Sequence, residues 1–125
     1  MQRSLLAIAA AVLAVLGSPA SAETLSYDLK TNFGPLHLEV HPESGHVHGY
    51  YPDYNGEIFG EMTRDDRMDG IWVQPSGDHP CREQRHGTVH WGRVIFGNPL
   101  SHHMDGVWGY CGQEPTETWH GHMAH

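Results

Sequence analysis

Turn-forming residues recur along most of this chain, about every 8–12 residues, and the short segments between them alternate apolar and polar side chains. Residues 36–41 and 46–51 show this alternation most clearly. No ten-residue window carries a helical apolar period, so helices longer than a turn or two are not expected. We therefore predict an all-β fold, an antiparallel up-and-down meander of about eight strands that closes, or nearly closes, into a barrel.

Three turns determine how the predicted strands align. A four-residue turn at 42–45 places His41 opposite His46, Glu39 opposite His48 and His37 opposite Tyr50. Asn55-Gly56 is a strong signal for a two-residue hairpin, which places Glu61 beside Tyr50 and Thr63 beside His48. For the turn near residues 64–67 a three-residue loop is preferred, because it sets Trp72 opposite Ile58 and points its ring into the core.

The core is expected to contain the apolar members of the alternating segments and at least two of the four tryptophans. The expected aliphatic and methionine members are Leu36, Leu38, Val40, Val47, Ile58 and Met62. The segment Met-Asp-Gly-Ile-Trp at 68–72 recurs as Met-Asp-Gly-Val-Trp at 104–108. A glycine near a large ring on one strand face lets the ring lie over neighbouring backbone, so these repeats indicate strand packing rather than chemistry.

The first 22 residues have the form of an export signal. Arg3 precedes an uncharged apolar run at 5–16, and Ala20-Ser21-Ala22 has the pattern that signal peptidase cleaves. The run is too short to span a bilayer, which needs roughly 20 residues. We predict a signal peptide at 1–22 and one β domain at 23–125, periplasmic or secreted, with no membrane span after processing. Residue 23 is Glu23 rather than cysteine, so the lipoprotein signature is missing.

Cys81 and Cys111 are the two cysteines of the chain. Export places them in an oxidising compartment, and a single pair has one possible connectivity, so a disulfide is predicted. A metal thiolate pair or a redox pair is a weaker alternative, because the two cysteines do not form a C-x-x-C motif.

The glycine and aromatic positions also carry a resemblance. Thr31-Asn32-Phe33-Gly34, Gly49-x-Tyr51, Gly56-x-Ile58-x-Gly60, Gly70-x-Trp72 and Gly106-x-Trp108-Gly109 resemble those of small exported bacterial β-meander domains of uncharacterised function. These domains are similar in strand rhythm to avidin-like and lipocalin-like barrels. The resemblance implies a fold, and it transfers no ligand to this chain.

The chain has 12 histidines and a net charge of −8. That charge argues against nucleic acid as a partner, because such binding depends on lysine and arginine. On the predicted hairpin the outward positions are all histidine or glutamate, namely His37, Glu39, His41, His46 and His48. Histidine and carboxylate on a rigid sheet suit zinc, copper or nickel. The plainer alternative is a solvent-exposed polar face.

A second histidine group lies near the carboxyl end. His120, His122 and His125 are expected in a flexible tail at about 120–125 that binds metals loosely, with His102 and His103 as neighbours. His79, His86 and His90 are expected to be structural or exposed.

No catalytic motif is recognisable, and no enzyme is expected. The expectation is an exported, non-catalytic binding module whose partner is a metal ion or a small ligand. The alternatives are an interaction domain of the cell envelope and an avidin-like barrel that binds a small ligand without metal.

Overall fold

A computed structural model describes residues 23–99 and 101–124. The predicted signal peptide at 1–22 and the predicted tail residue His125 lie outside the described residues, so the expectations about them stay predictions. The structure shows eight strands, listed in chain order: β1 Leu25–Thr31, β2 Gly34–Val40, β3 His46–Tyr51, β4 Gly56–Met62, β5 Arg67–Gln74, β6 His90–Gly97, β7 His103–Trp108 and β8 Glu117–Met123.

Each strand pairs antiparallel with its neighbours in sequence, and β8 pairs with β1, so the sheet is a closed barrel in meander order. The predicted fold class is therefore confirmed. A 3-10 turn, Pro52–Tyr54, is the only helical segment of the described part of the chain. Each described strand therefore pairs with a neighbour on both sides, and the barrel that they form has no edge strand.

The alignment of β2 with β3 agrees with the prediction, since His37 lies opposite Tyr50 and Glu39 opposite His48. The alignment of β3 with β4 was predicted wrongly. His46 lies opposite Glu61 and Tyr51 opposite Gly56, so the connection contains four residues, 52–55.

The β3–β4 connection differs from the prediction because Asn55-Gly56 is not the whole turn. Pro52 fixes its own backbone and opens the 3-10 turn, and Asn55 ends it in a left-handed conformation with φ of 50°. Gly56 belongs to the strand, where a Cβ atom would lie 2.0 Å from the Tyr51 ring. The aromatic ring therefore needs the glycine as a strand residue rather than as a turn residue.

The alignment of β4 with β5 is the one that the sequence favoured. Trp72 lies opposite Ile58 and Gly70 opposite Gly60. The backbone N–H of Thr63 donates to Arg67 O, which leaves three residues in the loop, and Asp66 takes the positive φ of 60°. One left-handed residue is easier to accommodate at this turn than two.

The barrel interior holds the expected core. Leu36, Leu38, Val40, Val47 and Ile58 are buried, and Met62 is partly buried against them. Trp72 and Trp119 lie in the same cluster, which confirms the expectation for the tryptophans. Trp91 is also buried, but it lies opposite Val73 on the outer face, where residues 75–89 cover it.

Candidate functional site

The predicted metal ligands lie on the outer surface of β2, β3 and the turn between them. We call this surface the histidine face and define it as His37, Glu39, His41, His46 and His48. The alternation of these residues with buried Leu36, Leu38, Val40 and Val47 places their side chains on the outside of the barrel. Within the strands, His37, Glu39, His46 and His48 therefore lie on one outer face, and His41 lies in the connection next to it.

Most of the histidines of this face have a separate carboxylate partner. His37 Nδ1 lies 2.8 Å from Asp28 Oδ1 on β1, and its Nε2 lies 3.3 Å from Glu39 Oε2. His48 Nε2 lies 2.8 Å from Glu57 Oε2, and His46 Nε2 lies 3.5 Å from Glu61 Oε1. The four-residue β3–β4 connection brings Glu61 beside His46 and Glu57 beside His48, whereas the sequence prediction placed Glu61 beside Tyr50.

His41 stands apart from this series. Its Nδ1 lies 3.2 Å from Thr24 Oγ1, and its backbone N–H donates to His46 O. Within residues 23–99 and 101–124, no group of three or more histidine, cysteine, aspartate or glutamate side chains is arranged to hold a metal ion. The structure thus divides the predicted ligands into pairs, and binding of zinc, copper or nickel here stays a prediction.

The Asp28 contact has an electrostatic consequence. Its hydrogen bond raises the pKa of His37 above the ordinary value of 6.5, partial burial opposes the rise, and the bond to Glu39 supports it. The carboxylates stabilise the protonated ring, which is unfavourable for metal binding because ligation needs neutral imidazole.

The second histidine group corrects the sequence prediction. His120 and His122 belong to β8, where they pair with Asp105 and His103 of β7, so they are strand residues and not part of a flexible tail. The expectation failed because the segment contains few aliphatic residues, although Trp119 anchors it in the core. His122 also lies opposite Lys30 of β1, a cation beside the ring that disfavours a bound metal.

A concave feature lined mainly by aromatic side chains lies at one end of the barrel. It is a cavity of about 450 Å³ at the end where β1 joins β2, β3 joins β4, β5 joins β6 and β7 joins β8. We call it the aromatic cavity. Its strand aromatics are Tyr51, Trp72, Trp108 and Trp119, and its connection aromatics are Phe33, Tyr54 and Tyr110.

The rings of the aromatic cavity pack edge to face. Phe33 lies across Trp119, Trp108 and Tyr54, with ring centroids 5.5, 5.7 and 6.0 Å apart. Trp108 also meets Trp72 and Tyr110 at near right angles. This arrangement is the favoured one for aromatic pairs, and it fixes the walls of the cavity against one another.

A glycine makes room for one of these walls. A Cβ atom at Gly92 of β6 would lie 2.6 Å from Trp72 Nε1 and 1.9 Å from Gly109 O. The missing side chain lets the Trp72 ring lie flat over β6, and its Nε1 donates to Gly109 O at 3.0 Å. The glycine near a ring, recognised in the sequence as a packing device, thus acts across neighbouring strands.

The loop at 75–89 forms part of the rim of the cavity, and the disulfide fastens it. Cys81 and Cys111 are bonded, as predicted, which ties the loop to the connection after β7. The His79 ring stacks on Tyr110 at 4.0 Å between centroids, and Trp91 Nε1 donates to Glu83 O at 2.8 Å. His79, expected to be structural or exposed, is therefore part of the cavity wall.

Two buried nitrogen atoms of the lining have no hydrogen-bond partner in the described structure. They are His90 Nδ1 and Trp108 Nε1. Both side chains line the cavity, and Gly77 of the loop lies against His90. An unpaired buried polar atom costs about 1–3 kcal/mol. The folded protein bears this cost at two atoms of residues that line the same cavity. Unpaired buried polar atoms of this kind are often found at functional sites.

The residues of the aromatic cavity were not among the predicted site residues. A signal was present, because Phe33, Tyr54 and Tyr110 are aromatic residues in turns on the same end of a meander. An aromatic ring in a turn can be buried only if that end of the barrel is concave, so these residues indicate a cavity there.

Comparison with protein-family models, curated proteins and solved structures finds no match to this chain. The resemblance to exported β-meander domains and to avidin-like barrels therefore stays a prediction beyond the barrel fold itself. Within the described residues we also find no helical segment with the length and hydropathy needed to cross a membrane.

Proposed function

We propose that this protein is an exported, non-catalytic binding module that holds a small organic molecule in the aromatic cavity. The observation that carries the proposal is the cavity itself, about 450 Å³ in volume and walled by seven aromatic side chains. Ligand pockets in proteins have volumes of about 300–1,000 Å³, are lined mainly by apolar and aromatic groups, and contain a few placed polar groups.

The rigidity of the walls supports binding. The cavity lies at the end of a closed barrel, and the Cys81–Cys111 bridge joins two of the connections that surround it. A preformed site loses little conformational entropy when a ligand enters, so more of the interaction energy contributes to affinity.

The strongly perturbed titratable group of the cavity favours binding over catalysis. Burial, with a contribution from Tyr54, raises the pKa of the Tyr51 hydroxyl far above its usual range. That hydroxyl donates to Gln74 Oε1 at 3.0 Å. A hydroxyl that keeps its proton at neutral pH serves structure and hydrogen bonding, whereas a general base needs a pKa near the working pH.

The proposal is tested with a pair of neighbouring tyrosines. Tyr54 is 46 % exposed and lines the cavity, whereas Tyr50 is 43 % exposed and faces outward from β3. A set of neutral, cationic and anionic small molecules is screened by melting temperature, and hits are measured by calorimetry. We expect Tyr54→Ala to weaken a hit roughly three- to tenfold and Tyr50→Ala to leave it unchanged. Hits that both variants affect equally, or an absence of hits, contradict the proposal.

A further inference from the structure

The charges around the aromatic cavity all have one sign when histidine is counted as neutral. Asp53 enters the lining from the β3–β4 connection and Asp78 from the loop at 75–89, and no lysine or arginine of the described residues lines the cavity. Neither carboxylate has an ion-pair or hydrogen-bond partner among the described residues. The site therefore repels anions and leaves two carboxylates available to a positive charge.

The remaining polar groups are mostly engaged with each other. Gln74 accepts from the Tyr51 hydroxyl and donates to Ser76 O at 3.2 Å. The indole N–H groups of Trp72 and Trp119 donate to Gly109 O and Thr31 Oγ1. A polyhydroxylated ligand needs many free hydrogen-bonding groups, and these side chains offer it few. What they present to the cavity is ring surface.

Ring surface and carboxylate together suit a particular kind of ligand. A ring face carries negative potential that attracts a cation, and several rings at right angles surround a cation from different sides. Phe33, Trp108 and Trp119 line the cavity with ring planes at 80° and 81° about Phe33, so the ring surfaces that they contribute differ in orientation. An alkyl-substituted ammonium group presents apolar surface to the rings and a positive charge to the carboxylates.

We infer that the aromatic cavity selects an organic cation, an ammonium group bearing methyl or other alkyl substituents, with Asp53 and Asp78 as its counter-charges. This inference rests on the proposed function, since it assigns a ligand class to the same cavity. It predicts that charge, at constant shape, decides which molecules bind.

Three probes of nearly equal shape separate charge from shape. They are choline, its uncharged analogue 3,3-dimethyl-1-butanol and the anion 3,3-dimethylbutanoate, each titrated into the purified, oxidised protein by calorimetry at low salt. A cation–π contact contributes about 0.5–2 kcal/mol, so choline is expected to bind roughly three- to thirtyfold more tightly than the alcohol. The anion is expected to give no measurable binding.

Matched variants locate the preference. Asp53→Asn and Asp78→Asn keep the side-chain shape and are each expected to reduce the choline preference, with little effect on the alcohol. Asp69→Asn is the control, because Asp69 is an exposed carboxylate on β5 that does not line the cavity. Raising the salt concentration should weaken choline binding more in the unmodified protein than in Asp53→Asn. Salt screens the charge of Asp53, and the variant does not have that charge.

The possible failures are distinguishable. Equal binding of choline and the alcohol, or a preference that Asp69→Asn lowers as much as Asp53→Asn does, overturns the cation inference. So does the absence of choline binding when another compound binds in a manner sensitive to Tyr54→Ala, a result that leaves the proposed function standing. Failure of every compound to bind in a Tyr54-sensitive manner overturns both.

Discussion

The histidine face and the aromatic cavity belong to the same barrel, yet their polar atoms behave differently. On the histidine face, His37 and His48 each lie 2.8 Å from a carboxylate, and every such pair is partly exposed to water. In the cavity, Asp53 and Asp78 have no such partner among the described residues, and two lining nitrogens are buried and unpaired there. The histidines of the first region are therefore mostly paired with carboxylates, whereas these polar groups of the cavity are not.

This difference shows that the density of ligand-type residues is a poor guide to a site. The histidine face concentrates imidazoles, but the sheet distributes them among carboxylates on β1 and β4. The cavity collects residues that are far apart in sequence, from Phe33 to Trp119, because four connections meet at one barrel end. The aromatic lining and the unpaired polar atoms distinguish the second region.

The largest expected difference between the two regions concerns stability. Trp119 is 3 % exposed and packs against Phe33, Tyr51 and Phe96. Trp119→Ala should lower the free energy of unfolding by about 3–5 kcal/mol, because it leaves a large void. His48→Ala, on the histidine face, should cost no more than about 1 kcal/mol, since an exposed ion pair contributes little.

Urea unfolding of both variants measures these costs. Trp119→Phe serves as a milder replacement in case the alanine variant does not fold, and it should lie between the unmodified protein and Trp119→Ala. A cost for His48→Ala equal to that of Trp119→Phe would reverse the comparison.

The disulfide should act on the cavity and spare the histidine face. Replacing Cys81 and Cys111 by serine removes a cross-link between residues separated by 30 positions, which should cost about 3–4 kcal/mol in the chain-entropy description. Hydrogen exchange should accelerate in residues 75–89, which the bridge fastens to the rim. Amides of β2 and β3 should show only the general loss of stability, and a greater acceleration there than in the loop would contradict this assignment.

Metal titration tests the histidine face directly. If His41 and His46 hold zinc, copper or nickel, as the sequence predicts, the metal at 100 times its dissociation constant adds about 2.7 kcal/mol to stability. The double change His41→Ala and His46→Ala should then abolish the rise in melting temperature, while His120→Ser with His122→Ser should leave it. His120 and His122 are substituted by serine rather than deleted, because β8 closes the barrel and its removal would disrupt the fold. A rise that survives the first double change rejects the predicted site.

The smallest expected effect is a pH dependence of stability from His37. Its pKa is raised in the folded protein, first of all by the hydrogen bond to Asp28, so the folded state binds a proton more tightly than the unfolded chain does. The stabilisation is therefore fully present below about pH 6.5 and is lost as pH rises through the folded pKa. The exposed pair limits its size to about 0.2–1 kcal/mol.

Comparison of unfolding at pH 5.5 and pH 8.5 with and without Asp28→Asn isolates this contribution. The variant should lose stability mainly at the lower pH, and its His37 resonance should titrate at lower pH in an NMR experiment. An unchanged titration would show that Asp28 does not set the protonation of His37.

Local patterns in the chain were sufficient for the class of fold, the disulfide and much of the core. The alternation of Leu36, Leu38 and Val40 with polar residues assigns one face of β2 to the interior, because side chains of a strand point alternately to its two faces. The preferred three-residue loop before β5 was also derived correctly, since it depends on the backbone of Asp66 and its neighbours alone.

The β3–β4 connection and the position of β8 required information beyond local pattern. Asn55-Gly56 favours a two-residue turn in isolation. The 3-10 turn begun by Pro52 and the packing of Tyr51 over Gly56 change the alignment, so that Tyr50 lies opposite Glu57 and not opposite Glu61. That change gives His46 and His48 their glutamate partners. Similarly, the pairing of β8 with β1 and β7 turns His120 and His122 into strand residues.

By itself the sequence determined which side of β2, β3, β4 and β5 is buried, that the two cysteines are partners, and that large rings are packed over glycines. These properties depend on near neighbours along the chain or on a single possible pairing. Only the tertiary structure decided that Phe33, Tyr54, Asp78 and Trp108 surround one cavity. The physical reason is barrel closure, which brings together connections that are separated by tens of residues in the sequence. The local alternation of apolar and polar residues does not specify which of these connections meet in space.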